Sequence, residues 1–442
     1  MFEDAGRILS GMVKIPTVSG AGNEKDYHIG EYREYLKKEF KGIFTLAEEI
    51  QVGEARLLRI AGSKADGAAP VLFTGHMDVV PAACPEAWTY PPFSGQIVDG
   101  RVWGRGAQDM KGPQCALLMA LNELIGGGWR PSREIWLYLS CDEETGGETT
   151  KRAAAYLRER GIRFAVVFDE GGTICENFMD LIEGKAAAIA VGEKGSLEYR
   201  FTATAQGGHS ANPPKNSAIV RLGELMHEIE GTDIFRRELS EGSRAMLREM
   251  ASCARDNGQE ERSGKLLTAS KESGEYPVLR SLCTQAESLL GSTIAFTMIE
   301  GGTAFNVMPQ KAVLTANVRV SIAETKEEVT AKLQALAKKH DLLCECVGGR
   351  DAVREGNPQQ SGYQMMKACI HKIDPLLPVI PFVLGGGTDS RHFEELTEEI
   401  VRFSPMYAEP WQGRGVHGDN EAADIEAVQD AARCYRELLA RM

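Results

Sequence analysis

The sequence predicts an α/β protein: a mainly parallel sheet between helices, with a smaller α+β domain inserted into it. Three observations predict this. Short apolar runs alternate with helical spacing up to about residue 193 and again from 361 onward, the pattern of parallel strands linked by helices. Three of those runs end in acids or a histidine, which parallel strands bring to one edge of a sheet. Between them, apolar and polar residues alternate at 196–205, as in a sheet with one exposed face. At 442 residues the chain also exceeds one ordinary core.

In chain order, residues 4–13 and 24–39 have helical spacing, and 55–60 reads as a strand before a Gly/Ala-rich turn at 61–69. The stretch 70–81 is the one around which the chain is organised. Val71, Leu72 and Phe73 are a buried-strand run, and Gly75 breaks it. His76 and Asp78 then stand two apart at the carboxyl end, where open α/β sheets bind ligands. Residues two apart on an extended segment point the same way. Asp78 is thus placed to bond one nitrogen of His76, or a neighbour, while the other nitrogen meets a metal. A strand-end histidine satisfied by a carboxylate is the plainer alternative.

Residues 88–100 hold Pro91, Pro92 and two glycines and read as a loop into a hairpin, 96–98 against 102–103. The glycine-rich run 104–112 opens an apolar helix near 113–125. Ile135–Ser140 is a buried strand ending in Asp142-Glu143-Glu144, and helix 148–160 follows. The run 164–168 is another, ending in Asp169-Glu170. With Asp109 on its glycine-rich loop, at least five carboxylates gather at one edge. Their mutual repulsion calls for a cation.

The inserted domain spans 194–354 and carries strands at 196–205, 294–299, 313–320 and 342–348, with helices at 215–230 and 324–339. Residues 231–290 are polar and helical, an insertion within it. The first domain comprises 1–193 and 355–442, resuming with helix 361–372, strands 378–384 and 400–404, the loop 413–421 and a closing helix 421–441.

Hydrophobic content of 43% and charged content of 26% are those of a globular protein. A net charge of −13 argues against a nucleic-acid surface. The first residues lack a basic start and apolar core, and no run reaches the ~18 apolar residues that span a bilayer. The ten cysteines are scattered without Cys-x-x-Cys spacing and read as reduced thiols. The expectation is a cytoplasmic protein without membrane or nucleic-acid partners.

The motifs occur in a telling order: Gly-His-Met-Asp-Val-Val-Pro (75–81), Trp-Gly-Arg-Gly-Ala-Gln-Asp-Met-Lys-Gly (103–112), Asp-Glu-Glu-Thr-Gly-Gly (142–147), Asp-Glu-Gly-Gly (169–172), Gly-Gly-His-Ser-Ala (207–211) and Val-His-Gly-Asp-Asn-Glu (416–421). Nearly the whole chain resembles the co-catalytic dizinc metallopeptidase family of aminoacylase, carboxypeptidase S, acetylornithine deacetylase and succinyl-diaminopimelate desuccinylase. Asp-Glu-Gly-Gly, Val-Gly-Glu-Lys-Gly (191–195) and Gly-Gly-Thr-Ala-Phe-Asn-Val-Met-Pro (301–309) look most like its carboxypeptidase S and aminoacylase branch.

The resemblance implies a phosphorylase/hydrolase-like catalytic domain with a lid that serves dimerisation. It implies Asp109 as the carboxylate bridging two zinc ions (cobalt or manganese being alternatives), followed by a cis peptide bond. His76 and Asp169 match the other ligands of one ion, with Glu170 a rival to Asp169, and Glu144 and His417 those of the second. Glu143 matches the general base and Asp78 the residue that orients a ligand. His209 matches a lid histidine that reaches the partner's site in dimers. Asn306, Arg319 and Arg391 match positions facing substrate, Arg391 suiting a carboxylate. His28, His227, His340, His371 and His392 match no motif.

The implied activity is hydrolysis of an amide bond beside a free carboxylate, in a dipeptide, a short peptide's C-terminus or an N-acyl amino acid. A biosynthetic deacetylase or desuccinylase is the alternative, although those branches more often carry Glu-Pro in place of Asp-Glu-Gly-Gly. A non-catalytic metal-binding scaffold is the remote one. The lid insertion also admits a monomer.

Overall fold

The computed structural model describes residues 2–20, 27–64, 67–408 and 415–442. The start of the expected helix 24–39, part of the turn at 61–69 and the start of the loop at 413 lie outside the described residues. The chain forms two compact units: Met1–Val191 with Gly356–Phe382 and Thr388–Met442, and Gly192–Glu355 with Val383–Gly387.

The first unit is built on a mixed, mainly parallel sheet. Its centre is β3 (Val71–His76) between β6 (Ile135–Ser140) and β7 (Val166–Asp169). All three are buried along their length and parallel, with His76 opposite Ser140 and Phe73 opposite Phe168. The Phe73 and Phe168 rings stack at 5.0 Å. This register brings the chain beyond His76, Ser140 and Asp169 out at one edge, so a residue's place after a strand decides its place in the site.

Outward from β6 lie β2 (Ala55–Ile60) and β1 (Glu48–Val52), an antiparallel hairpin. Beyond β7 come β17 (Ile400–Arg402, parallel), β9 (Lys185–Glu193, antiparallel) and β16 (Val379–Leu384), with β8 (Ile174–Glu176) paired to β9. Helices Ala5–Val13, Lys111–Gly126 and Ile425–Leu439 pack in the same apolar core as these strands. A small separate sheet joins β4 (Gln96–Val98), β5 (Arg101–Trp103) and β18 (Ala422–Asp424).

The second unit is a two-layer α+β sandwich. Four antiparallel strands run in the order β12 (Thr293–Gly301), β14 (Lys311–Val320), β10 (Gly195–Thr204) and β15 (Leu343–Arg350). Leu197, Tyr199, Phe201 and Ala203 alternate inward along β10 and meet helices Ala218–Gly231 and Lys326–Lys339 in a second core. Residues 231–290 contain helices Glu241–Asp256, Glu260–Ala269, Pro277–Leu282 and Ala286–Leu290. A short ribbon pairs β11 (Gly208–His209) with β13 (Val307–Met308). No described helix is long and apolar enough to cross a membrane.

Candidate active site

His76 is the last residue of β3 and is 2% exposed. Its Nδ1 lies 2.8 Å from the backbone oxygen of Asp78, to which it donates. That bond fixes the ring so that Nε2 faces Asp109 Oδ1 at 2.9 Å and Glu170 Oε1 at 3.2 Å. The Asp78 carboxylate, 3.6 Å from Nδ1, has other work. It accepts from Ser19 Oγ (2.7 Å) and from the backbone N–H groups of Glu143 (3.3 Å) and Glu144 (3.2 Å). Asp78 therefore orients His76 through its carbonyl and the acidic turn through its side chain.

Asp109 ends the glycine-rich loop, where Gly106 has φ +86° and an added Cβ would stand 2.7 Å from Val79. The Asp109–Met110 peptide bond is cis. While Oδ1 faces His76, Oδ2 lies 3.2 Å from His417 Nε2, which is also 3.2 Å from Glu144 Oε2. Two groups of potential ligand atoms thus share Asp109: His76–Asp109–Glu170 and Asp109–Glu144–His417. Glu143 comes within ligand range of His76 together with Glu144, and its Oε1 stands 3.9 Å from Arg391 Nη2. Arg391 Nη1 is buried and has no hydrogen-bond partner among the described residues.

Asp169 is placed differently from Glu170. Its Oδ1 accepts from Thr74 Oγ1 and its Oδ2 from the Ser390 N–H at 2.8 Å, so both oxygens are occupied by protein donors. The next side chain on the extended backbone turns to the other side, which puts Glu170 beside His76.

The electrostatics follow from burial and crowding. Burial pushes the Glu143 carboxyl well above the usual range, with Glu170, Asp389 and Glu144 adding repulsion against the attraction of His76. Burial and the charges of Asp109 and Asp169 push Glu170 up to about 8. His417 rises to about 10 because Asp109 and Glu144 bond it. These carboxyl groups and imidazole nitrogens face one another as a cation's donors do.

The remaining residues singled out by the sequence lie in the second unit. His209 is exposed on β11 opposite Val307, and Asn306, next in chain to Val307, accepts from the Ser210 N–H at 3.1 Å. His209 Nδ1 accepts from the Ala211 N–H at 3.0 Å, which leaves Nε2 to carry the ring proton. Arg319 is exposed on β14 and donates to the Gly385 oxygen at 3.3 Å. Sequence reasoning gave no role to Ser19, Thr74 or Ser390, common polar residues that only tertiary contacts single out. It also gave none to Arg105 and Glu421, although both lie inside the motifs.

A family model described as peptidase family M20/M25/M40 matches residues 72–441, most of the chain. The chain belongs to this family. Among its relatives, the N-fatty-acyl-amino acid synthase/hydrolase PM20D1 of Xenopus tropicalis is 30% identical over 440 residues, spanning 98% of this chain and 84% of that protein. The probable carboxypeptidase S-like 2 of Dictyostelium discoideum is 28% identical, spanning 84% of this chain and 71% of that one. The fold matches the M20 metallo-carboxypeptidase Sso-CP2 of Sulfolobus solfataricus with a TM-score of 0.73 at 19% identity, over 99% of both chains. It matches human carnosine dipeptidase 1 with a TM-score of 0.67 at 17% identity, over 100% of this chain and 97% of that one.

This M20 chain is accordingly a hydrolase of the metallopeptidase and amidohydrolase type, acting on amide bonds. The family is metal-dependent, and the two imidazoles and the carboxylates around Asp109 fit that need. Imidazole nitrogen and carboxylate oxygen are donors that zinc accepts, and a cation offsets the burial and the repulsion that raise Glu143 and Glu170.

Proposed function

We propose that this enzyme hydrolyses an amide bond adjacent to a free carboxylate, in a dipeptide, a short peptide's C-terminus or an N-acyl amino acid. The observation that carries the reading is the pair of ligand groups meeting at Asp109 with Glu143 beside them. His76, Asp109 and Glu170 would hold one zinc ion, and Asp109, Glu144 and His417 the other. Glu170 takes the place offered to Asp169, because Glu170 faces His76 Nε2 while the Asp169 oxygens accept from Thr74 and Ser390. When bound, zinc supplies Lewis acidity toward the scissile carbonyl and a water of lowered pKa.

The chain's own residues do the rest. Glu143 takes the water's proton and returns it to the leaving amine. His209, with its proton on Nε2, donates to the developing oxyanion. The Arg391 guanidinium, whose Nη1 has no partner among the described residues, binds the substrate carboxylate, and Asn306 and Arg319 face the substrate. The relatives' names, an N-fatty-acyl-amino acid hydrolase and a carboxypeptidase, favour this reading over a biosynthetic deacylase.

A homodimer through the second unit completes the proposal. The edge strand β12 exposes Met298 (59%) and Ile299 (58%), and pairing with a second copy would cover it. His209 would then serve the partner's site. The ten cysteines, none of them in a disulfide, support a reducing, cytoplasmic setting.

The test is a substrate screen of zinc-loaded enzyme on dipeptides and N-acyl amino acids, each beside its C-terminal amide. The free acids should be cleaved and the amides should lose most of kcat/KM. Equal turnover of acid and amide would remove the carboxylate from the reading.

A further inference from the structure

The stretch 416–421 supplies His417 to the site, and its last residue, Glu421, is fully buried. Strand β18 pairs antiparallel with β5, Ala422 opposite Trp103. The loop carrying Asp109 and the loop carrying His417 therefore leave the same end of one ladder, although 315 positions separate Gly106 from Glu421. Both carboxylate oxygens of Glu421 are saturated by the Asp109 loop. Oε1 accepts from the N–H groups of Gln108 (2.8 Å) and Asp109 (3.2 Å). Oε2 accepts from the N–H of Gly106 (3.0 Å) and from Arg105 Nη1 (2.7 Å).

Arg105, 2% exposed, closes the circuit. Its Nη2 donates to the backbone oxygen of His417 at 3.2 Å, and its guanidinium lies 5.3 Å from the Trp88 ring centroid. Gln108 Nε2 adds a bond to the Ala422 oxygen at 2.7 Å. Each of these hydrogen bonds joins one loop to the other. Loss of the Glu421 carboxylate would strand a buried guanidinium and three loop amides at once.

We propose that Arg105 and Glu421 are positioning residues: a buried clasp that sets the separation of Asp109 and His417, and so the metal affinity of the Asp109–Glu144–His417 group. This rests on the metal reading above. The other group shares Asp109 but takes its remaining two ligands, His76 from β3 and Glu170 just after β7, from outside the clasp, so its affinity falls less.

The experiment titrates Co²⁺ into metal-free protein and follows the visible absorption of the bound ion. The parent should take up two ions. Glu421→Gln keeps the size but turns an NH₂ toward donors, and it should weaken one ion by about 10- to 100-fold, the usual scale for groups behind a metal ligand, with the other changed only a few-fold. Arg105→Lys keeps the charge and loses the fork, so the same ion should weaken less; it carries the test if Glu421→Gln does not fold. In metal-free protein, amide exchange over 104–110 should quicken in the variants while that over 71–76 does not change. Unaltered cobalt binding in both variants, or equal weakening of both ions, would overturn the clasp. A parent that takes up no cobalt would instead sink the metal reading, and the exchange result alone would then decide for or against the clasp.

Discussion

Glu143 and Glu144 follow one another in the chain yet face different partners. Glu144 Oε2 stands 3.2 Å from His417 Nε2, while Glu143 Oε1 stands 3.9 Å from Arg391. Asp78 holds the backbone of both, so a change in one side chain leaves the turn anchored. If Glu143 is the base, Glu143→Gln should lower kcat by ~10²–10⁴-fold, with metal content near that of the parent. Normal turnover in that variant would exclude the role. At this scale the sequence shows which residues are available: His76, Asp109, Glu143, Glu144 and His417 all stand at strand ends or in glycine-rich loops. It does not rank Asp169 against Glu170, because both are acids after one strand. Thr74, on a neighbouring strand, and Ser390, from 221 positions away, make the difference, and neither has a local signature.

At the scale of elements, the parallel strands were legible because they are continuous apolar runs. Several strands were not, among them Ala422–Asp424, which the sequence reads as the start of the closing helix although that helix begins at Ile425. Glu48–Val52 has one buried residue in five and is held by its hairpin with β2. Lys185–Glu193 is rich in alanine, a poor strand former, and owes its state to burial in the sheet. The glycines at 348 and 349 lie within β15; Gly349 has φ +109° and no room for a side chain beside the Ser196 backbone, and both call for glycine. The helical insertion is tied down at both ends. Glu355 accepts from Ser240 Oγ (2.8 Å) and the Gly242 N–H (2.7 Å) at its start, and Lys194 Nζ donates to the Gly291 oxygen (2.7 Å) at its end. Ser292 then bonds Glu324 at 2.7 Å, and Lys332 pairs with the same carboxylate at 2.6 Å. Burial alone would raise Glu324, but the bonds from Lys332 and Ser292 outweigh it and hold the carboxyl below its usual value. A carboxyl lowered in the folded state contributes stability that is present above the unfolded value and lost as pH falls through the folded one. Glu324→Gln should therefore destabilise the protein at neutral pH, and the gap to the parent should close below about pH 4. Denaturant unfolding at both pH values checks this, and a gap of constant size would contradict it.

For the whole molecule, the second unit carries His209, Asn306 and Arg319 while the ligand groups lie in the first. If His209 acts across a dimer, mixing His209→Ala with Glu143→Gln should restore activity, since each hybrid dimer holds one intact site. No recovery despite demonstrated subunit exchange would reject that role, and a monomer in sedimentation would reject the dimer. The central claim is that two groups of residues sharing Asp109 hold the metal that makes this fold a hydrolase. An anomalous difference map from a zinc-soaked crystal tests it most directly. The account predicts two peaks, one among His76, Asp109 and Glu170 and one among Asp109, Glu144 and His417. A map with no peak among these residues, or with zinc bound by Asp169 in place of Glu170, would contradict it.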